Sequence, residues 1–554
     1  MRPRLKKNVH FAAITLLLLL LSWWGMSSLI FFNSDTGLRF WQARELIAHH
    51  WQTFAIDYPG RALDPDLQFV PFYCAYSVLQ GKVFFDITPF VPLLASFLLP
   101  WMGSFGLAIV PVLSGVLAAI GTYKLAKLSG LSRPYLVLWS SVLATPLFFY
   151  TLQLWDHSPA VACAVWGVYG VASGIMKRRW QPVLGAGVIT AVGIGQRPEL
   201  YLFALALAGS LLIVSRLNWR FVAALAGGGI IGILPIWWAQ YIWVGNPFGM
   251  AFAPHLFHYG RPEAYAFVCQ GFSSSLKISR FLLYVGGHDP QSFIAALLAL
   301  VSLFLLIFAL RLPKLRKPWL FLVILLLSFV GYLLWGSMLW KNPLPGLLTT
   351  FPLAGFSLAY LDQARDRSAS RSVYQLVFFT ALFFLAGMII FWPTYGGDHY
   401  GGRYLLPVYP LLIFLAFYVY EAYEGERPLQ KSLQILGVGL LVIAVSLQIL
   451  SIRLLILNQQ KNVAVYNAIA DLPANVILTN HPFLPTTFSS LEDKIFMYVD
   501  EEADFSILVP RFVNAGISRF AFISLEDLPL FVPDHVGDIS IRQLTPVLYE
   551  LDGR

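Results

Sequence analysis

Runs of about 20 apolar residues alternate with short polar connectors along almost the whole chain, and each run has the length of a membrane-crossing helix. The runs fall at 9–32, 103–123, 135–153, 159–176, 182–196, 199–215, 221–243, 291–310, 319–339, 346–361, 373–392, 404–420 and 433–452, giving about thirteen predicted spans. Those at 182–196 and 346–361 are short and carry Gly or Pro. Residues 84–100 are apolar as well, but Pro89, Pro92 and Pro100 interrupt them, so this segment is expected to lie along or dip into the interface. The expected fold class is an α-helical polytopic membrane protein.

The connectors sort by charge into two sets. One is basic, with Arg2, Arg4, Lys6 and Lys7, then Lys124, Lys127 and Arg133, Lys177 to Arg179, Arg216 with Arg220, and 311–317. Positive connectors face the cytoplasm, which puts the N-terminus inside and the C-terminus outside. The other set holds His49, His50, His157, His255, His258, His288, His399, His481 and His535, so function is expected on the outer face. Composition agrees with the class: 58% hydrophobic and 12% charged residues, with a mean hydropathy of +0.67, exclude a water-soluble globule. The net charge of +9 is spread over the connectors, which argues contact with anionic lipid and gives no support for a nucleic-acid partner. Three cysteines, Cys74, Cys163 and Cys269, exclude a disulfide framework, although a Cys74–Cys269 pairing on the outer side stays open. Residues 8–32 have signal-peptide character but are long enough to span and lack a small-x-small cleavage site, so a retained anchor is expected.

Two outer loops are long, 33–87 and 245–290, and long ordered loops in compact proteins usually carry function. The membrane module is expected over 1–452. Beyond it, residues 453–554 gain acids, among them Glu492, Asp493, Asp500, Glu501, Glu502 and Asp504, and read as a small soluble α/β domain on the outer face. A helix is predicted over 463–469, and strands over 476–479, 495–499 and 520–524.

Several residues in the outer connectors have chemistry to offer. Asp35 follows the first span and precedes the amphipathic segment 38–50; a carboxylate there is partly desolvated, the condition that suits a general base for a hydroxyl. It reads equally as the N-cap of the helix beginning near Gly37. Asp156 and His157 sit in a very short turn between two spans, where charge is expensive; a cap with Pro159 in the first turn is the alternative. Lys82, Arg197 and Arg403 stand where spans meet the outer surface, placed to cradle a phosphate or to snorkel to lipid headgroups. Glu199 also offers Arg197 an ion pair. The carboxylates of Asp64-Pro65-Asp66, with His49, His50, His157, His255 and His258 on the same side, are compatible with a divalent metal, although no strict ligand spacing appears.

An Asp just after the first span, a Gly81-Lys82 run before Pro-rich apolar sequence, Arg197-Pro198-Glu199, and Gly401-Gly402-Arg403-Tyr404-Leu405-Leu406-Pro407 occur here in one order and on one predicted side. In this the chain resembles the GT-C superfamily of polyprenyl-phosphate-sugar-dependent glycosyltransferases, in particular the bacterial branch related to protein O-mannosyltransferases and aminoarabinose transferases. The resemblance covers the membrane module and reaches the C-terminal domain by layout only. It implies an inverting transferase of the bacterial cytoplasmic membrane with its active site facing the periplasm. The implied partners are a polyprenyl-phosphate sugar donor, a lipid, glycan or protein acceptor, and membrane lipids. Asp35 matches the family's first-loop catalytic Asp, and Asp156 with His157 stands where the family often places a second acidic residue. Lys82, Arg197 and Arg403 match positions suited to the donor phosphate. The chain departs from the family in having Thr36, rather than a second acid, after Asp35. The competing expectations are a lipid-linked oligosaccharide flippase or transporter, and an envelope polysaccharide polymerase or ligase using His255, His258 and Arg261.

Overall fold

A computed structural model describes residues 3–26, 30–72, 75–250, 284–285, 290–338, 346–359, 368–392, 400–423, 430–481, 484–488, 491, 493–524 and 530–553. Most of the loop 245–290 lies outside the described residues, as do Cys74, Cys269, His255, His258, Arg261, His288 and His399. Among the described residues nine helices are long and apolar enough to cross a membrane: Asn8–Gly25, Phe105–Leu128, His157–Lys177, Trp219–Val244, Phe293–Arg311, Pro318–Ser337, Ser370–Phe391, Arg403–Tyr423 and Gln430–Ala470. The chain is a multi-pass membrane protein with a small C-terminal sheet region.

The helices in chain order begin α1 Pro3–Met26, α2 Ser34–Ala48, α3 Phe90–Met102, α4 Ser104–Leu128, α5 Pro134–Leu143, α6 Leu147–Thr151, α7 His157–Lys177, α8 Gln181–Gln196, α9 Leu200–Val214 and α10 Trp219–Val244. Of the four expected runs not among these nine, two form the unbroken but short helices α8 and α9, of 16 and 15 residues, and two are broken by proline. The run at 135–153 is broken into α5 and α6 at Pro146, and the run at 346–361 into Leu347–Thr350 and Ala354–Leu358 around Pro352. Proline removes a backbone donor and clashes with the preceding turn, so an apolar run containing one need not form a single helix.

Contacts divide the chain into two units. The first comprises Met1–Gly25, Phe105–Gln240 and Gln270–Leu454. Its central packing is the antiparallel hairpin α7–α8, whose contact face on α7 is built from Gly167, Gly170 and Gly174. A Cβ on Gly170 would lie 2.9 Å from the Ala186 Cβ and 2.9 Å from the Pro182 carbonyl oxygen, while one on Gly167 would strike Thr190 and one on Gly174 would strike Val183. Glycine at these three positions lets the two backbones approach, the usual device where lipid removes the hydrophobic drive between helices.

The second unit comprises Met26–Ser104, Tyr241–Cys269 and Leu455–Arg554. It contains a two-stranded hairpin, β1 Tyr76–Leu79 with β2 Lys82–Phe85, and a six-stranded sheet of β3 Val476–Thr479, β4 Ile495–Tyr498, β5 Arg519–Ile523, β6 His535–Val536, β7 Ile539–Gln543 and β8 Leu548–Gly553. The order is β4-β3-β5-β8-β7-β6, with β3 parallel to β4 and β5 and the remaining pairs antiparallel. Side chains alternate across a strand. Val476 and Leu478 therefore point with Phe520 and Phe522 toward the helix Ala503–Asn514, joined by Leu63 and Phe69, whereas Ile477 and Ala521 point to Ile469, Leu484 and Phe488. Both faces of the parallel strands are covered, which is why they read as continuous apolar runs.

The first loop and the C-terminal residues interlock through backbone groups. Phe31 N donates to Thr487 O at 2.9 Å, Trp41 Nε1 to Phe488 O at 2.9 Å, and Asn462 Nδ2 to Phe31 O at 2.7 Å. Gly37 faces the Thr486 carbonyl so closely that no Cβ would fit. Asp64, fully buried, accepts from Gln68 N at 2.9 Å and Phe69 N at 2.8 Å, with Arg511 Nη1 at 3.8 Å. Asp64→Ala strands two backbone donors and should lower the stability of this unit by about 2–4 kcal/mol, read as a lowered unfolding midpoint of the detergent-solubilised protein.

Candidate active site

The α7–α8 hairpin decides which charged residues meet. Two antiparallel helices joined by a short turn put the start of the first beside the end of the second, so Asp156 and His157 at the head of α7 come level with Arg197, just past α8. Asp156 occupies the N-cap position of α7 but makes no side-chain cap bond. Its Oδ1 instead accepts from Arg197 Nη1 at 3.3 Å, while Arg197 Nε donates to Glu199 Oε1 at 2.9 Å and Oε2 at 3.2 Å. His157 Nδ1 lies 3.9 Å from Glu199 Oε1. The side chains of Asp156 and Glu199 are each only 1% exposed and that of Arg197 12%. One guanidinium thus serves two buried carboxylates, with the His157 imidazole beside them.

Aromatic rings enclose this cluster. Tyr150, Trp155 and His157 pack with centroids 4.7 to 5.3 Å apart, and Tyr150 OH donates to the Tyr400 carbonyl at 3.0 Å. On the other side the Tyr404 ring is shared by two arginines: Arg197 Cζ lies 5.4 Å and Arg403 Cζ 5.0 Å from its centroid, and Arg403 Nη2 donates to the Tyr404 OH at 3.1 Å. Within the first unit the fold therefore brings Asp156, His157, Arg197 and Arg403 into one neighbourhood, adding Glu199, Tyr404, Tyr150 and Trp155.

Asp35 and Lys82 belong to the second unit. The cap of α2 is Asn33, whose side chain accepts from Thr36 N at 3.2 Å, so Asp35 stands inside the first turn. Arg39, one turn on and 2% exposed, donates from Nη1 to the Asp35 carbonyl at 2.6 Å and lies 3.7 Å from its Oδ1, orienting the side chain. Lys82 opens β2 as an exposed residue after the two-residue turn Gln80-Gly81, whose φ values of 53° and 70° are those of the hairpin turn that matches strand twist. The Asp64-Pro65-Asp66 carboxylates face Arg511, 3.8 Å from Asp64 and 3.4 Å from Asp66, so an arginine stands where the sequence had allowed a cation. The acids and imidazole that do gather are Glu45, His49 and Asp57.

No protein-family model and no curated protein matches the chain. Several solved structures are similar to it, two of them as follows. ArnT from Cupriavidus metallidurans, bound to undecaprenyl phosphate, is 13% identical with a TM-score of 0.49, over 98% of this chain and 98% of that one. The archaeal oligosaccharyltransferase AglB from Archaeoglobus fulgidus, in complex with an inhibitory peptide and a dolichol-phosphate, is 12% identical with a TM-score of 0.49, over 93% of this chain and 69% of that one.

Tyr404 stood in the sequence only as part of the Gly401–Pro407 motif, with no role of its own, and Tyr150 and Trp155 were given none, because aromatics make up 16% of the chain and neither carries a spacing signal. Removing the shared cation tests the cluster: Arg197→Met leaves two buried carboxylates without a partner and should cost about 3–5 kcal/mol in unfolding experiments. Adding Asp156→Asn and Glu199→Gln to it should restore part of that loss.

Proposed function

We propose that this protein is an integral-membrane inverting glycosyltransferase that moves a sugar from a polyprenyl-phosphate carrier to an acceptor at the periplasmic face of the bacterial cytoplasmic membrane. The observation that carries the reading is that neither Asp35 nor Asp156 caps its helix. Asn33 caps α2, and Asp156 faces Arg197 instead of the α7 backbone. Capping was the ordinary explanation for each of these carboxylates; in its place each stands beside an arginine, Asp35 by Arg39 and Asp156 by Arg197, an arrangement that supports a charged site. The resemblance in motif order to GT-C transferases supports the same assignment.

Inverting transfer asks little of a protein. A base takes the proton from the acceptor hydroxyl as its oxygen attacks the anomeric carbon, the bond to the lipid phosphate breaks, and the electron pair leaves with the phosphate. Asp35 is the base. The departing phosphate needs no proton, only cations, and Lys82 and Arg403 supply them, Arg403 as a planar fork and Lys82 as a point charge. Arg197, the third cation of this reading, is held by Asp156 and Glu199, whose two carboxylates offset its charge, so it fixes geometry beside Arg403 more than it adds charge. His157, beside Glu199, tunes that cluster.

The purified protein, incubated with a panel of polyprenyl-phosphate sugars and an acceptor-rich envelope extract, should release polyprenyl phosphate from one of them. Asp35→Asn should lower that release by about 100-fold or more while donor binding persists. Turnover unchanged in the variant removes the base assignment, and no release from any donor favours a transporter. Arg403→Ala should raise the apparent KM for donor more than it lowers kcat; parental kinetics would withdraw its phosphate role.

A further inference from the structure

Helix α2 ends in a way that gathers three metal-type ligands. His49 is its C-cap, and the next two residues, His50 and Trp51, stand at φ 51° and 58°, in the left-handed region where non-glycine residues are strained. That double turn sends the chain back along the helix, so that Asp57 N reaches Glu45 Oε2 at 3.4 Å. Glu45 and His49 are four residues apart and share a helix face. Their facing atoms, Glu45 Oε2 and His49 Nε2, are 3.8 Å apart, and Asp57 Oδ2 lies 3.3 Å from the same Nε2.

The three ligand atoms gather closely enough for one ion to draw them together. His49 Nε2 is a buried atom with no hydrogen-bond partner, although two carboxylate oxygens face it, and one ligand atom from each residue lies within 4.8 Å of the other two. Zinc bonds of about 2.0–2.1 Å to nitrogen and oxygen imply a tetrahedral edge of about 3.3 Å. The His49–Asp57 separation already has that value, while Glu45 has to close by about half an ångström on His49 and by up to about 1.5 Å on Asp57, a movement the exposed Asp57 side chain can supply. Arg44 Nη2 is the cation that opposes a metal here. It approaches the other Glu45 oxygen, Oε1, at 3.7 Å and lies 4.6 Å from the Trp41 ring centroid, which leaves Oε2 to the cluster. Glu45 is 9% exposed, His49 28% and Asp57 75%, so an ion can enter from the Asp57 side.

We propose that Glu45, His49 and Asp57 form a three-ligand site for a divalent transition ion of the zinc type, with water in the fourth position. The ion clips the strained return at 49–51 to the helix that carries Asp35. The site stands on its own geometry and does not depend on the transferase reading.

The full-length protein, free of any affinity tag, is stripped with EDTA and dialysed. It is then titrated with Zn2+ alone and, separately, with Co2+, whose visible absorption reports its coordination geometry. The parent should take up one Zn2+ per chain and give the intense visible bands of four-coordinate Co2+. His49→Ala should lose that equivalent, and Asp57→Asn, at an exposed side chain that leaves the fold intact, should weaken it at least about tenfold. No uptake by the parent, or equal uptake by the Asp57→Asn protein, overturns the proposal.

Discussion

Two carboxylates buried beside a single guanidinium are the constraint around which the first unit is arranged. Taking each charge out of water costs several kcal/mol, and the attraction that offsets it is strong only where the charges are close and water is excluded. Asp156, Arg197 and Glu199 meet that condition because α7 and α8 are in near-backbone contact. Gly167, Gly170 and Gly174 set this distance, and the hairpin converts it into the 3.3 Å separation between Asp156 and Arg197. Tyr404 then couples the cluster to Arg403, since one ring lies against both guanidinium groups. Packing of small residues in the middle of a helix pair therefore governs electrostatics at its end.

Much of this was legible in the chain, at the level of elements. Apolar runs announced the spans, and the run at 346–361 was marked by its shortness and its Gly and Pro, whereas 135–153 read as one span through Pro146, where the structure divides it. Asp156, His157, Arg197 and Arg403 each stood out as polar residues at the ends of apolar runs. Their association did not, because Asp156 and Arg197 are 41 residues apart and meet only if the two intervening helices pack tightly. The glycines at 167, 170 and 174 held that information as small residues spaced along one helix face, a pattern that points to close packing without naming the partner. Asp35 was ambiguous for a local reason. Asn33 and Asp35 are both good caps, and only backbone geometry distinguishes them.

The C-terminal region shows the same division. Strands β3, β4 and β5 were readable as apolar runs because they are covered on both faces. Strands β6 and β7 were not, since each sets a single buried residue, Val536 or Ile541, among exposed or half-buried ones and carries no continuous apolar signal. Nor could any local pattern reveal that Leu63 and Phe69, in the first loop, complete the core beneath the helix Ala503–Asn514.

That shared core has a consequence for how the protein is made. Leu63 and the arginine that holds its carbonyl, Arg511, are 448 residues apart in the chain. At a synthesis rate of about 5–20 residues per second, the first loop is made roughly 20–90 s before its partner exists. During that interval Leu63, Phe69 and the backbone edge at Phe31 lack the residues that cover them in the folded chain. The residues that leave the ribosome nearly first are among the last to reach their native packing.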